Sequence, residues 1–216
     1  MSVKLISYTQ SQDNNIQSIT DFIAYIDRSS NPVGQQTVKN NETLICYLMK
    51  NNHWSPFEMV NICLEIETTR DIAREILIHR CFSFKEFSRN CMKPALEFNT
   101  RDARMQDTQN SQNSLKIDDD FLEEEWEQKQ MEVINKATET YNWAITKGIA
   151  KEEAIVILPE CNAKVGFYAN GTLRSWIRFV ELQGDNEGRP EYQNIVKLCI
   201  NEISTIFPQI MNCVNY

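Results

Sequence analysis

Histidine is nearly missing from this chain: His53 and His79 are the two in 216 residues. Acid–base or cofactor chemistry by imidazole is therefore confined to those positions. No H-x-x-x-H pair and no cysteine cluster accompanies them, which argues against a metal site. Cysteine stands at 46, 63, 81, 91, 161, 199 and 213, but the number is odd and no C-x-x-C pair occurs. Neither a disulfide framework nor a zinc knuckle is indicated, and reduced thiols in a cytoplasmic protein are the plain expectation. Cations are the minority, 22 Lys and Arg against 30 Asp and Glu, for a net charge of −8. Such a chain is a poor candidate for coating nucleic acid, although a local cluster of donors can still hold a small anion. No apolar run reaches the length of a membrane span. The opening MSVKLISYTQ has no long apolar stretch and no small-residue cleavage site, which predicts neither a signal peptide nor membrane attachment. No G-x-S-x-G occurs, so nothing fixes a nucleophilic serine beside either histidine.

What is present is a globular composition, 42% hydrophobic and 24% charged, in a chain long enough to bury a core without staples. No internal repeat and no glycine-rich linker divides it, so residues 1–216 are expected to form one domain, with a polar insertion at about 99–117. Residues 3–9 predict a short strand. Ile19, Phe22, Ile23 and Ile26 recur at helical spacing and predict a helix over about 17–28, followed by a loop at 29–36. Leu44, Ile45, Leu48 and Met49 share one face of a helix starting near Asn41. Val60, Ile62, Leu64 and Ile66 alternate with polar residues, the mark of a half-buried strand. Thr69 can cap the next helix, whose apolar face is Ile72, Ile76 and Leu77. Residues 79–90 show no clear period and are expected to form a loop. The longest helix is expected from Asp118 to about Lys147, closed by Gly148. A short helix at 151–157, a strand at 165–169 and helices at about 172–183 and 190–206 complete the chain, the last with Pro190 in its first turn. Helices dominate and strands do not alternate regularly with them, which favours α+β.

Two segments draw attention chemically. His53 lies in HWSPFEM, at a turn between a helix and a strand. His79 opens a stretch that packs His79, Arg80, Ser83, Lys85, Glu86, Ser88 and Arg89 into eleven residues. Hydroxyls, cations and free amides at that density suit a phosphate-bearing ligand. The plainer account is a loop histidine at 53, a helix-ending cation at 79 and a solvated loop between 79 and 90. Spacing alone leaves both accounts open.

Three segments in order resemble the flavin-dependent thymidylate synthases. HWSPFE (53–58) is similar to that family's H-x-S-P-F-E-H. HRCFSFKEFS (79–88) resembles its signature, R-H-R followed after seven residues by Ser. LPE (158–160) with FYANGTLRSWIRFVELQ (167–183) is similar to its C-terminal block, which ends in Leu-Arg. The resemblance spans roughly residues 1–207. It implies an α+β fold, a helical body with a largely antiparallel sheet, assembled as a homotetramer with active sites between subunits. It implies FAD as cofactor, methylenetetrahydrofolate and NADPH as co-substrates, and a pyrimidine deoxynucleotide monophosphate as substrate, dUMP being converted to dTMP. The cofactor carries the hard chemistry, and no cysteine nucleophile is required. By the same resemblance the cofactor set is Ser55, Glu58, His79, Arg80, Ser83, Glu86 and Arg174. The substrate set is Glu75, Glu86, Ser88, Arg89, Leu182 and Gln183. The catalytic set is Ser88, Gln183 and His53.

The chain also departs from the family pattern. Ile78 replaces the first Arg of the triplet, Glu75 a Gln, Lys85 an Asn, Asn90 and Ile155 two arginines, and Gln183 the final Arg of Leu-Arg. These are mostly substrate positions. A charge-assisted hydrogen bond lost at a phosphate costs about 1.5–3 kcal/mol. Either Lys85, Arg89, Lys151 or Arg178 substitutes locally, or the substrate differs. Two alternatives follow. One is flavin-dependent alkylation at carbon 5 of another pyrimidine such as a cytosine nucleotide, since a Gln amide both donates and accepts. The other is a catalytically silent flavoprotein subunit.

Overall fold

The computed structural model describes residues 1–30, 40–87, 97–110, 113–184 and 189–213. Its strands are β1 (Ser2–Tyr8), β2 (Asn61–Thr69), β3 (Phe82–Glu86), β4 (Arg104–Gln106), β5 (Ser114–Lys116) and β6 (Lys164–Thr172). Its helices are α1 (Ile19–Ser30), α2 (Asn41–Lys50), α3 (Arg70–Leu77), α4 (Asp120–Thr146), α5 (Lys151–Ala154), α6 (Leu173–Gly184) and α7 (Pro190–Ser204). The fold is α+β, as the sequence pattern predicts.

The alternation in β2 explains the sheet. With a side-chain period of two, Ile62, Leu64 and Ile66 fall on one face and are fully buried. Asn61, Cys63, Glu65 and Glu67 face the other way. β2 pairs antiparallel with β1 and β6, and β6 pairs antiparallel with β3, for the order β1-β2-β6-β3. Register sets Ile62 opposite Gly171, Leu64 opposite Ala169 and Ile66 opposite Phe167, so one apolar face runs across the sheet. Ile23 of α1, Ile45 and Leu48 of α2, Ile72 and Ile76 of α3, Trp176 and Phe179 of α6, and Ile195 and Ile203 of α7 join that face in one core. Each such side chain contributes about 1.5–3 kcal/mol on burial.

Helix ends follow the expected chemistry. Asn40 caps α2 by accepting from the amide of Glu42 at 2.8 Å. Asp119 caps α4, accepting from Phe121 and Leu122 at 3.1 Å. Gly148, at φ +79°, turns the chain out of α4. Thr69 does stand at the head of α3, but its hydroxyl donates to the Asp71 carboxylate at 2.6 Å instead of capping an amide.

The stretch from 79 to 90 corrects the sequence reading. Residues 82–86 are not loop but the edge strand β3. Phe82 and Phe84 are half-buried, while Ser83, Lys85 and Glu86 are exposed, a short period-two pattern that the dense polar residues hide. The strand expected at 165–169 is longer, nine residues, because it is the inner partner of both β2 and β3. Of the loop expected at 29–36, Ser29 and Ser30 end α1 and the rest lies outside the described residues. The polar insertion forms the β4–β5 hairpin. Its base is anchored: the Gln130 amide on α4 exchanges two 2.8 Å hydrogen bonds with the Arg101 backbone, and the Arg101 guanidinium meets Asp71 at 2.8 Å and Glu191 at 3.6 Å.

Gly171 is where β6 admits an aromatic ring from β3. A Cβ there would lie 2.6 Å from Cε1 of Phe82, and Phe82 is packed against Trp176 with ring centroids 4.5 Å apart. Gly171→Ala should therefore destabilise the protein by about 1–3 kcal/mol, the cost of overpacking a filled core. Urea unfolding with an unchanged m-value would report it, and an unshifted midpoint would show that the Phe82 ring yields freely.

Candidate functional site at one end of the sheet

The site is built from the first turn of α6. The Leu173 amide donates to the Val60 carbonyl at 2.7 Å, and the buried Trp176 indole donates to the Ile62 carbonyl at 3.1 Å. These bonds seat the helix N-terminus over the start of β2. Arg174 then forms an ion pair with Glu58, which sits on the short helical turn Ser55–Met59 whose Pro56 and Phe57 are buried. Ser175 donates through Oγ to the Cys81 carbonyl at 3.2 Å, and so ties down the α3–β3 turn that carries His79 and Arg80. One helix end therefore gathers two of the segments singled out in the sequence.

A cleft of about 280 Å³ opens beside it, lined by Asn52, Trp54, Arg174, Ile177, Arg178 and Glu181. Arg174 and Arg178 lie one turn apart and share a helix face. His53 is exposed next to this cleft in sequence, its ring edge-on to Tyr47 at 6.1 Å, just after Asn52 at φ +58°. Ser55 is exposed. His79 is half-buried. Its ring stands edge-on to Phe179 at 5.4 Å, and its Nε2 lies 3.3 Å from the Tyr192 hydroxyl. Burial pushes the imidazole below its ordinary titration range, so the ring is neutral near pH 7. Arg80 and Ser83 are exposed, Ser83 opposite Asn170 of β6.

The remaining predicted residues lie elsewhere. Glu86, at the far end of β3 from the Cys81 anchor, pairs with Arg70 at 2.6 Å. Ser83 and Glu86 are separated by about 10 Å of strand. Glu75 pairs with Arg189 at 3.0 Å, and Arg189 also reaches Asp71 at 3.3 Å. Leu182 is 38% exposed near the end of α6. Ser88, Arg89, Asn90 and the side chain of Gln183 lie outside the described residues. One chain thus presents two separated groups: His53, Ser55, Glu58, His79, Arg80 and Arg174 towards one end of the sheet, and Glu86 at the other. Sequence reasoning missed Arg70, Arg189 and Tyr192. Their partners are distant in the chain, and only a start-of-helix Arg-Pro at 189–190 hinted at a placed cation. Among the described residues no group of three or more His, Cys, Asp or Glu could hold a metal ion.

Fold and site define the class: an α+β protein that presents arginine-bearing polar groups at the ends of an antiparallel sheet. The chain belongs to the thymidylate synthase complementing protein family, whose model matches residues 4–209. It is 35% identical over 216 residues to a probable flavin-dependent thymidylate synthase of Paramecium bursaria Chlorella virus 1, covering 100% of both chains. It is 38% identical to a flavin-dependent thymidylate synthase of Synechocystis over 97% of both chains. Its fold matches that of a UMP/dUMP methylase of Streptomyces cacaoi, solved with 5-Br dUMP, at a TM-score of 0.79 and 19% identity, over 98% of this chain and 93% of that one.

The neutral state of His79 has a consequence for stability. Its folded pKa lies below the unfolded value of 6.5, so the unfolded chain binds the proton more readily. The stabilisation is complete above that unfolded value and is lost as pH falls through the lowered folded one. His79→Asn should flatten this acid-side decline. Unfolding free energies at stepped pH would measure it, and an identical decline in the variant would place its origin in other groups.

Proposed function

We propose that this chain is a flavin-dependent thymidylate synthase, converting dUMP to dTMP with FAD as cofactor, methylenetetrahydrofolate as one-carbon donor and NADPH as reductant. The observation that carries the reading is the convergence at α6: the Arg174–Glu58 pair and the His79–Arg80 turn are fastened to the same helix end. Full-length similarity to enzymes of that name supports it.

The residues present fit the cofactor. A diphosphate needs cations that are reachable but oriented, and Arg174 is half-exposed while Glu58 fixes its direction. Arg80 and Arg178 add charge, and the cleft beside Trp54 has room for a planar ring. Ser55 and Ser83 offer exposed hydroxyls. Bound FAD would supply the hydride and accept electrons from the nicotinamide. The chain's own residues bind and orient: Arg174, Arg80 and His79 towards the cofactor, His53 towards the flavin and folate, and Glu75, Glu86, Ser88, Arg89, Leu182 and Gln183 towards the nucleotide. Ser88, Gln183 and His53 form the catalytic set of this reading.

A homotetramer belongs to the same proposal. Glu86 stands apart from the Arg174–Glu58 group within one chain, so a complete site calls for a second copy to bring the two groups together. Cytoplasmic residence fits the free thiols of Cys46, Cys63, Cys81, Cys161 and Cys199. Among the described residues, no helix is long and apolar enough to cross a membrane.

Three measurements test the proposal. Purified protein should take up FAD, and the double variant His79→Ala, Arg80→Ala should lose at least about tenfold in FAD affinity, the equivalent of roughly 1.4 kcal/mol, while keeping its circular dichroism. FAD-loaded protein given methylenetetrahydrofolate, NADPH and either dUMP or dCMP should add one methyl mass to dUMP. Methylation of dCMP alone would move the substrate to cytosine, and no product with either would favour a silent subunit. Light scattering should give four chains per particle, and a monomer at working concentration would contradict the shared site.

A further inference from the structure

We infer that Tyr192 is a positioning residue for His79: its phenol donates to Nε2 and holds the imidazole in the tautomer that carries its proton on Nδ1. His79 then meets its ligand as a neutral, directed hydrogen-bond donor and not as a cation. The part of this that concerns a ligand rests on the flavin reading above. The tautomer itself does not.

Three rings make the contact a built one. Tyr192 lies in the first turn of α7 and is 5% exposed. Phe179 of α6 packs against both partners, 6.1 Å from the Tyr192 ring and 5.4 Å from the His79 ring. Between them the Tyr192 hydroxyl and His79 Nε2 are 3.3 Å apart. A buried phenol must place its single hydrogen, because leaving it unmade costs about 1–3 kcal/mol. Among the described residues, Nε2 of His79 is the partner it has. The direction of the bond follows from acidity. A phenol is a far stronger acid than a neutral imidazole N–H, and an imidazole nitrogen is a far stronger base than a phenol oxygen. O–H···N is therefore favoured, and the ring's own proton is left on Nδ1.

The surrounding charges keep both groups in these states. Burial pushes the Tyr192 phenol up, and the Glu75 carboxylate on α3, one turn before His79, adds to it, so the hydroxyl keeps its proton. The Glu75 carboxylate is itself held by Arg189 at 3.0 Å, at the head of α7. Cys199, also on α7, is buried and pushed up, and stays an uncharged thiol. On α6, Arg178 and Glu181 pair with each other at 3.4 Å. Arg80, next in the chain, is exposed, as is Lys85 on β3. Desolvation of the half-buried imidazole keeps the ring neutral. The division of labour is then plain: Arg80 supplies charge at this turn, and His79 supplies direction.

Two histidines in the chain make the test direct. Nitrogen-15 histidine labelling gives two imidazole signal sets, and His53→Gln assigns them by deletion. Above the imidazole's titration range, wild-type His79 should show a protonated Nδ1 and an unprotonated Nε2. Tyr192→Phe keeps the ring packing and removes the hydroxyl. It should shift His79 towards a mixture of tautomers or towards Nε2–H, and weaken FAD binding about threefold to tenfold, the range of one neutral hydrogen bond. A wild-type ring protonated on Nε2, or a tautomer ratio unmoved in Tyr192→Phe, overturns the inference whether or not FAD binds. Failure of wild-type protein to take up FAD overturns the functional reading instead, and the NMR result still decides the tautomer.

Discussion

The site depends on how α6 is fastened to the sheet. Two bonds, from the Leu173 amide to the Val60 carbonyl just ahead of β2 and from the Trp176 indole to the Ile62 carbonyl in β2, fix the helix end in position and rotation. A helix amide in the first turn and a buried indole both need acceptors, and an unmade bond at either would cost about 1–3 kcal/mol. Once they are made, Arg174 and Ser175 have no freedom of placement. The one must project towards Glu58 and the other towards the Cys81 carbonyl. Trp176 and Phe179 on the same helix reach back into the core against Phe82, so apolar packing and polar placement are consequences of one docking event.

Electrostatics organises the surface around that docking. The chain is acidic overall, yet Arg70, Arg101, Arg174 and Arg189 are each held by carboxylates. The Arg101–Asp71 pair is partly buried, where screening is weaker and a fixed direction is retained. The exposed Arg174–Glu58 pair adds little stability on its own. Under the proposed function its part is orientation, since a guanidinium already pointed at a ligand loses less entropy on binding. Arg101 and Arg189 do comparable work at the other side of α3, joining the insertion and the head of α7 to Asp71. Glu75, a negative group where the family pattern has a neutral amide, is compensated by Arg189, so the departure in sequence is balanced locally in space.

Much of the fold was legible because it rests on short periods. The alternation of Ile62, Leu64 and Ile66, the helical spacing of Ile19, Ile23 and Ile26, and the acidic start of α4 are local facts of composition and order. β3 escaped for a physical reason as well: an edge strand needs apolar residues on one face over a few positions, and Phe82 and Phe84 are all that it shows. The segments around His53, His79 and Arg174 were legible as candidates through their motifs. Their mutual arrangement was not.

The sequence by itself determined the α+β class, the helix and inner-strand positions, the scarcity of histidine that confines imidazole chemistry to two places, and the motifs that tie the chain to its family. Only the tertiary structure decided which charges meet. Glu58 and Arg174 are 116 residues apart, His79 and Tyr192 are 113 apart, and Asp71 and Arg189 are 118 apart. No local propensity encodes such pairs. They arise when the buried faces of separate elements dock and carry their polar edges into contact, which is also why Tyr192 reads in the sequence as one more aromatic on an amphipathic helix and in the fold as the partner of a histidine.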